Sequence, residues 1–295
     1  MRKSISSHIK RCDVCQRLKC TTKKYGYLPP KSAEGIPWER LCVDLIGPYM
    51  IGCKNKPSLT LQALTMIDPA TGWFEIQQYK DKRAFMIANI LEQVWLLCYP
   101  WPTLITYDQG SEFLGYEFEC MVQEDYGITS RPTVKRNPQA NAIIERVHQV
   151  IANMIRTYEL ETNYMDEENP WAGILAATAF AVRATYHTTL QATPSQLVFG
   201  CDMILNAMHI ANWKFITEWK QKLINANNEQ ENAKCIPHTY KIGDLVLLKK
   251  DSRKYECSRQ GPYKITKVYT NGTVTIKKGA VYKRINICRL QPYYE

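Results

Sequence analysis

Three segments with a repeat of two come before any helical pattern in this chain, and that order constrains the fold most. Leu41, Val43 and Leu45 alternate with Cys42, Asp44 and Ile46, as in a strand whose two faces differ. Residues 59–67 and 72–79 read as two further strands, joined by Asp68-Pro69-Ala70-Thr71-Gly72, where Asp68 suits an Asx turn. A helix is expected over 82–98, closed by Pro100 and Pro102. A short strand over 104–107 leads into Asp108, followed by a helix over 111–126 and a fifth strand over 128–133. This is the pattern of a mixed α/β core.

The clearest helix spans 142–161, with Ile143, Val147, Val150, Ile151, Met154 and Tyr158 on one apolar stripe. Residues 170–187 and 213–234 are expected to be helical, with Pro194 at a helix N1 position between them. After Pro237 the texture changes to short strand-like runs, 245–248, 263–269 and 273–277, punctuated by Asn271-Gly272. That is the pattern of a small antiparallel barrel. The chain therefore divides into a basic stub and linker (1–31), the α/β core (32–200), a helical linker (201–237) and a basic β-barrel (238–295).

A length of 295 residues with 45% apolar content suits about two domains and excludes a disordered or collagen-like chain. The apolar stretch 173–182 is too short to span a bilayer, so no membrane partner is expected. The start, MRKSISSHIKRC, lacks the apolar run of a secretory signal. Eleven scattered cysteines, an odd number, argue against a disulfide framework and for a reducing cytosol or nucleus. Charge is unevenly divided: net +8 over 1–31, −7 over 32–240 and +9 over 241–295. Basic ends around an acidic centre point to a polyanion gripped from both sides, with a centre able to hold divalent cations.

Phosphoryl transfer on a nucleic-acid backbone needs charge neutralisation and an activated oxygen, which carboxylate-held divalent metals supply. Asp44 interrupts an apolar strand, where an acid needs a partner or a cation. Asp108 follows directly on a strand, and Glu145 lies on the polar face of the strong helix, in line with Asn141, Gln149 and Arg156. A lone Glu on such a face is ordinarily just solvated. Asp68, Glu75, Glu112, Glu119, Glu124 and Asp125 are set aside as carboxylates outside this group.

The runs IPWERLCVDLIGPY (36–49), TMIDPATGWFEI (65–76), TYDQGSEF (106–113) and NPQANAIIERVHQ (137–149) resemble the catalytic core of retroviral-type integrases, specifically those of gypsy-type LTR retrotransposons. TPSQLVFG (193–200) is similar to the segment following that core, and YKIGDLVLL (240–248) with GPYKITKV (261–268) resembles the C-terminal GPY/F module. The resemblance implies a ribonuclease-H-like mixed five-stranded sheet with flanking helices, then a helical extension and the small barrel. It makes Asp44, Asp108 and Glu145 the catalytic, Mg²⁺- or Mn²⁺-binding triad. One residue more than the family's spacing separates Asp108 from Glu145, and the surplus falls before Gly127, where a loop could absorb it.

The resemblance extends to the cysteine half of an N-terminal His-His-Cys-Cys zinc module, at Cys12 and Cys15, with Cys20 nearby. Only His8 precedes that pair, so the Zn²⁺ site is incomplete: the sequence is truncated or the module has decayed. In the barrel, Lys249, Lys250, Arg253, Lys254, Arg259, Lys264, Lys267, Lys277 and Lys278 interleave with Tyr255, Tyr263 and Tyr269. Such a surface binds phosphate backbones with little regard to sequence. His148 and His187 are assigned no role, and Trp38, Trp171 and Trp213 are placed in the core. The expected activity is DNA integration: cleavage near the 3′ ends of element DNA, then joining to target DNA, by a nuclear homo-oligomer reaching the chromosome by way of a cytoplasmic particle. The alternatives are an inactive, element-derived DNA-binding protein and a metal-dependent nuclease of the same fold.

Overall fold

A computed structural model describes residues 8–9, 11–18, 23–51, 59–133, 142–159, 170–249 and 259–294. They fall into two compact units, one over Ala33–Lys220 and one combining the residues before 33 with Gln221–Glu295.

The first unit is built on a five-stranded sheet of order β3-β2-β1-β4-β5. Strands β1 (Arg40–Ile51), β2 (Leu59–Ile67) and β3 (Phe74–Gln78) pair antiparallel, while β4 (Leu104–Tyr107) and β5 (Thr129–Pro132) continue the sheet in parallel. This is the ribonuclease-H-like sheet. The period of two becomes two separate cores. Leu41, Val43, Leu64 and Met66 pack with Trp95, Phe113 and Phe118 on one face. Cys42, Ile46, Ala63 and Ile67 pack with Ile144, Ile151, Trp171 and Leu175 on the other. Asp44 belongs to the second face by parity. Just beyond it the β1–β2 register shifts between Ile46 and Tyr49. Gly47 sits there at φ 95, with its missing Cβ aimed at the Leu61 carbonyl, so only glycine fits.

The expected helix over 82–98 is α2 (Ala84–Leu91) running into a π turn, Glu92–Leu96; α1 (Asp13–Leu18) belongs to the other unit. The expected helix over 111–126 is shorter: residues 111–115 form turns, α3 is Tyr116–Cys120, and a π turn occupies Met121–Asp125. A π turn holds one residue more per hydrogen-bonded ring than an α turn. The residue expected in a loop before Gly127 thus finds helical space. Helices α4 (Ala142–Glu159) and α5 (Pro170–Ala184) cover the second face. On α4 the buried residues are Ile144, Val147 and Ile151, whereas Val150, placed on the apolar stripe, is 47% exposed. Val147 and Ile151 are therefore buried as expected, Val150 is not, and Ile144 joins them from outside the expected stripe. Thr193 caps α6 (Pro194–Phe199) through a capping box with Gln196, with Pro194 at its start as expected. Helix α7 spans Trp213–Ala233.

The second unit carries an antiparallel five-stranded sheet of order β10-β6-β7-β8-β9. Its strands are β6 (Leu245–Lys249), β7 (Arg259–Val268), β8 (Thr273–Lys278), β9 (Val281–Asn286) and β10 (Leu290–Pro292). Leu28, Tyr240, Val246, Ile265, Val274 and Ile285 share its core. Helix α1 (Asp13–Leu18) docks through buried Gln16, whose amide donates to the Tyr294 carbonyl at 2.7 Å and accepts from the Tyr294 N–H at 2.9 Å. No helix among the described residues is long and apolar enough to cross a membrane.

Candidate active site and nucleic-acid interface

Asp44 stands on β1 opposite Thr65 of β2. The parallel pairs Arg40↔Leu104, Leu41↔Ile105 and Cys42↔Thr106 set the β1–β4 register. Carried two residues further, the same register puts Asp108 beside Asp44, just past the end of β4. Glu145 is in the first turn of α4, flanked by Ile144 and Val147, which pack on Asp44's face of the sheet. A strand middle, a strand end and a helix start are thereby directed to one region.

The electrostatics agree with that placement. The Asp44 carboxyl is pushed up to about 6, by burial first and then by the charges of Asp108, Glu145 and Glu112; the Leu45 N–H opposes the shift. That N–H donates to Asp44 Oδ1 at 2.9 Å, and the Gly110 N–H donates to Asp108 Oδ1 at 2.8 Å. The charges acting most on Asp44 are all negative, and a cation is the natural counterpart. Among the described residues no three His, Cys, Asp or Glu side chains already form a closed metal-holding group. The carboxylates feel one another without being drawn together.

Three participants escaped the sequence reading. Glu112, set aside above, is only 5% exposed, pairs with Lys82 at 3.1 Å and adds its charge to Asp44. Thr65 is fully buried; its hydroxyl donates to the Asp44 carbonyl oxygen at 2.9 Å and lies 2.8 Å from His148 Nε2. Burial lowers His148 to about 4, so its ring is neutral near pH 7. A signal for His148 was present: it falls between Ile144 and Ile151 at helical spacing, a half-buried polar residue beside the apolar stripe. Asp68 behaves as expected of an Asx turn, its Oδ1 accepting from the Ala70 N–H at 2.9 Å.

Of the expected DNA contacts, Gln149 and Arg156 are exposed on α4, and Arg156 also donates to Asn153 Oδ1 at 2.8 Å. Lys249, Lys264 and Lys267 are exposed on β6 and β7. Asn141, Lys250, Arg253, Lys254, Tyr255 and Cys20 lie outside the described residues. Arg259 is instead buried, its Nη1 donating to the Gln16 carbonyl at 3.3 Å, so it is not a surface contact. Arg284, not singled out from sequence, lies over the Tyr269 ring at 3.9 Å, with Lys267 on the same ring at 5.1 Å. Lys267, Thr275 and Arg284 form a row across β7, β8 and β9. Cys12 and Cys15 are half-buried, and Cys12 is held below the usual thiol range by hydrogen bonding to Cys15. No described residue completes a metal group around them.

The fold defines a class: a ribonuclease-H-like core carrying an acid on its central strand β1, followed by an antiparallel sheet with basic residues on its surface. Comparison with known proteins narrows it. No family model matches the chain. It is 25% identical over 278 residues to the retrovirus-related Pol polyprotein from transposon 412 of Drosophila melanogaster, covering 83% of this chain and 21% of that protein. It is 27% identical over 194 residues to gypsy retrotransposon integrase-like protein 1 of Mus musculus, covering 64% and 34%. The chain thus spans about a fifth to a third of these curated relatives. In fold it is similar to a chain of the simian T-cell lymphotropic virus intasome in complex with PP2A regulatory subunit B56 gamma, with TM-score 0.67 and 14% identity over 100% of this chain and 91% of that one. The protein is integrase-like, of the retroviral and retrotransposon kind.

Proposed function

We propose that this chain is a DNA-integrating polynucleotidyl transferase of the gypsy type. The observation that supports the reading is the negative field of Asp108 and Glu145 at Asp44, with a β1–β4 register that, continued two residues past Cys42↔Thr106, would pair Asp44 with Asp108. Asp44 on a strand, Asp108 just past a strand's end and Glu145 on a helix offer hard oxygen ligands, the donor set that suits Mg²⁺ or Mn²⁺. When bound, the metal supplies charge neutralisation at the attacked phosphate and a more acidic oxygen nucleophile. The protein's part is to hold three carboxylates on rigid elements and to grip the strand. Water attacks near the 3′ end of element DNA; the freed 3′-hydroxyl then attacks a target phosphodiester and expels a 3′-oxygen. Each step exchanges one P–O bond for another, so no covalent enzyme intermediate is required.

Lys267 and Arg284 around the Tyr269 ring, with Lys249 and Lys264, would hold the phosphate backbone without base readout. The reaction joins two element ends to chromosomal DNA, so the protein acts as a homo-oligomer in the nucleus, reached by way of a cytoplasmic particle. One observation favours a second reading, a DNA-binding protein without transfer activity: the described carboxylates do not form a closed group. The two separate when the full chain is incubated with labelled element ends, target DNA and Mg²⁺ or Mn²⁺. Strand joining by the wild type, lost in Asp44→Asn and Glu145→Gln, supports integration. Equal activity in all three removes it, DNA binding without any cleavage favours the second reading, and cleavage without joining marks a nuclease.

A further inference from the structure

The polar residues beneath the carboxylates form a chain with a defined direction. Thr65 Oγ1 carries one hydrogen and has two partners, the Asp44 carbonyl oxygen at 2.9 Å and His148 Nε2 at 2.8 Å. A carbonyl can only accept, so the hydroxyl proton goes to Asp44. His148 must then donate from Nε2, and its neutral ring carries the proton there. The link runs His148 to Thr65 to the Asp44 backbone, and so from α4 through β2 to β1. His148 lies one helical turn beyond Glu145, and Thr65 lies directly opposite Asp44 in the β1–β2 ladder. Nearby contacts between α4 and the sheet, from Ile144, Val147 and Ile151, are apolar and without direction. A directed hydrogen bond adds what apolar packing lacks, a fixed azimuth for the helix.

We propose that His148 is a positioning residue: through the Thr65 hydroxyl it sets the separation and angle between the helix that carries Glu145 and the strand that carries Asp44. The proposal deepens the function above, because it rests on Asp44 and Glu145 being the metal-holding pair. Without the link the helix still packs, but Glu145 is no longer held at one distance from Asp44.

The test uses the full chain with His148→Leu and Thr65→Val, which break the link, and with His148→Gln and Thr65→Ser, which keep a donor and a hydroxyl. Mg²⁺ half-saturation is read both in strand transfer and by calorimetry without DNA. The link-breaking variants should need about 10- to 100-fold more Mg²⁺ at an unchanged KM for DNA, while the conservative pair recovers most of the loss. The double variant should be no worse than either single one, since both cut the same link. Thermal midpoints confirm that each variant is folded. Independently, the imidazole ¹⁵N spectrum of histidine-labelled protein should show His148 protonated on Nε2, with that resonance shifted in Thr65→Val. Unchanged Mg²⁺ dependence in the link-breaking variants, or a proton on Nδ1, overturns the proposal. A wild type that transfers no strands, yet shows the tautomer and weaker Mg²⁺ binding in the variants, removes the reaction and keeps the positioning role.

Discussion

Two charged centres in the same unit, one buried and one half-buried, are built in opposite ways. At the β2–β3 turn, the Asp68 carboxylate accepts from the backbone N–H groups of Trp38, Ala70 and Thr71 and from the Thr71 hydroxyl. Close by, the Lys220 ammonium donates to the carbonyls of Glu34, Pro69 and Ala70 at 2.8, 3.0 and 3.1 Å. Both charges are surrounded by dipoles of the right sign. At the β1–β4 junction, Asp44 receives one backbone N–H and faces the charges of three other carboxylates. A charge kept for architecture is satisfied inside the fold, whereas one left facing its own kind awaits something from outside. The contrast separates function from structure without recourse to the relatives.

The comparison breaks most decisively in activity. Asp44→Asn or Glu145→Gln should lower Mg²⁺-dependent strand transfer by at least about 10³-fold, roughly 4 kcal/mol of barrier. Lys220→Met, assayed on its folded fraction, should stay within about threefold of wild type, a difference under roughly 1 kcal/mol. Equal losses in the two centres would mean that Asp44 and Lys220 serve the same purpose.

Stability reverses the ranking. Lys220→Met removes three donors from buried carbonyls and should cost roughly 3 kcal/mol in urea unfolding. All seven tryptophans lie between residues 33 and 220, so their fluorescence reports on this unit alone. The pH dependence has a definite sign. Burial lowers Lys220 to about 8 from an ordinary 10.5, against the opposing pull of Asp68 and Glu34. Between those values the unfolded chain holds more protons, so the wild type gains stability as pH rises. Its margin over Lys220→Met should therefore widen across pH 8 to 10.5, by on the order of 2 kcal/mol, and stay flat from pH 6.5 to 7.5. A margin that narrows over the upper window would show that burial does not penalise the charged amine.

Much of this was legible before any coordinates. The period of two in 41–46 assigned Asp44 to the face that α4 covers, and 59–67 was read as a strand with the limits it has. The lost parts have identifiable causes. Strand β9 is VYKRIN, with four exposed residues before Ile285; an edge strand with one wet face shows no apolar alternation. The helix expected over 111–126 starts only at Tyr116: Glu112 and Phe113 are buried within the turns of 111–115, a tertiary burial that local spacing does not encode. On α4, Val147 and Ile151 are buried as the stripe predicts; Val150 is exposed and Ile144, off the stripe, is buried, so the covered face is set by the sheet it meets rather than by the apolar pattern alone. His148, assigned no role from sequence, meets Thr65 through a tertiary contact that helical spacing does not show. Glu112 was missed for a different reason: its burial depends on a tertiary approach to Lys82 that no local pattern encodes.

The smallest effect is also the sharpest discriminator, because one chemical change should act with opposite signs at the two centres. Asp44→Asn removes a charge that its neighbours repel, and in metal-free buffer at pH 7.5 it should stabilise the core by about 1 kcal/mol, once screening by water that still reaches the site is allowed for. Asp68→Asn presents an amide NH₂ to groups that donate, leaving at least one of them unmatched, and should destabilise by about 1–2 kcal/mol. Added Mg²⁺ should raise the wild-type midpoint and leave Asp44→Asn where it was, since ligand binding stabilises only the form that binds it. If both asparagine variants lose stability, Asp44 is a structural acid with a partner of its own, and the metal-holding role proposed for it falls with the contrast.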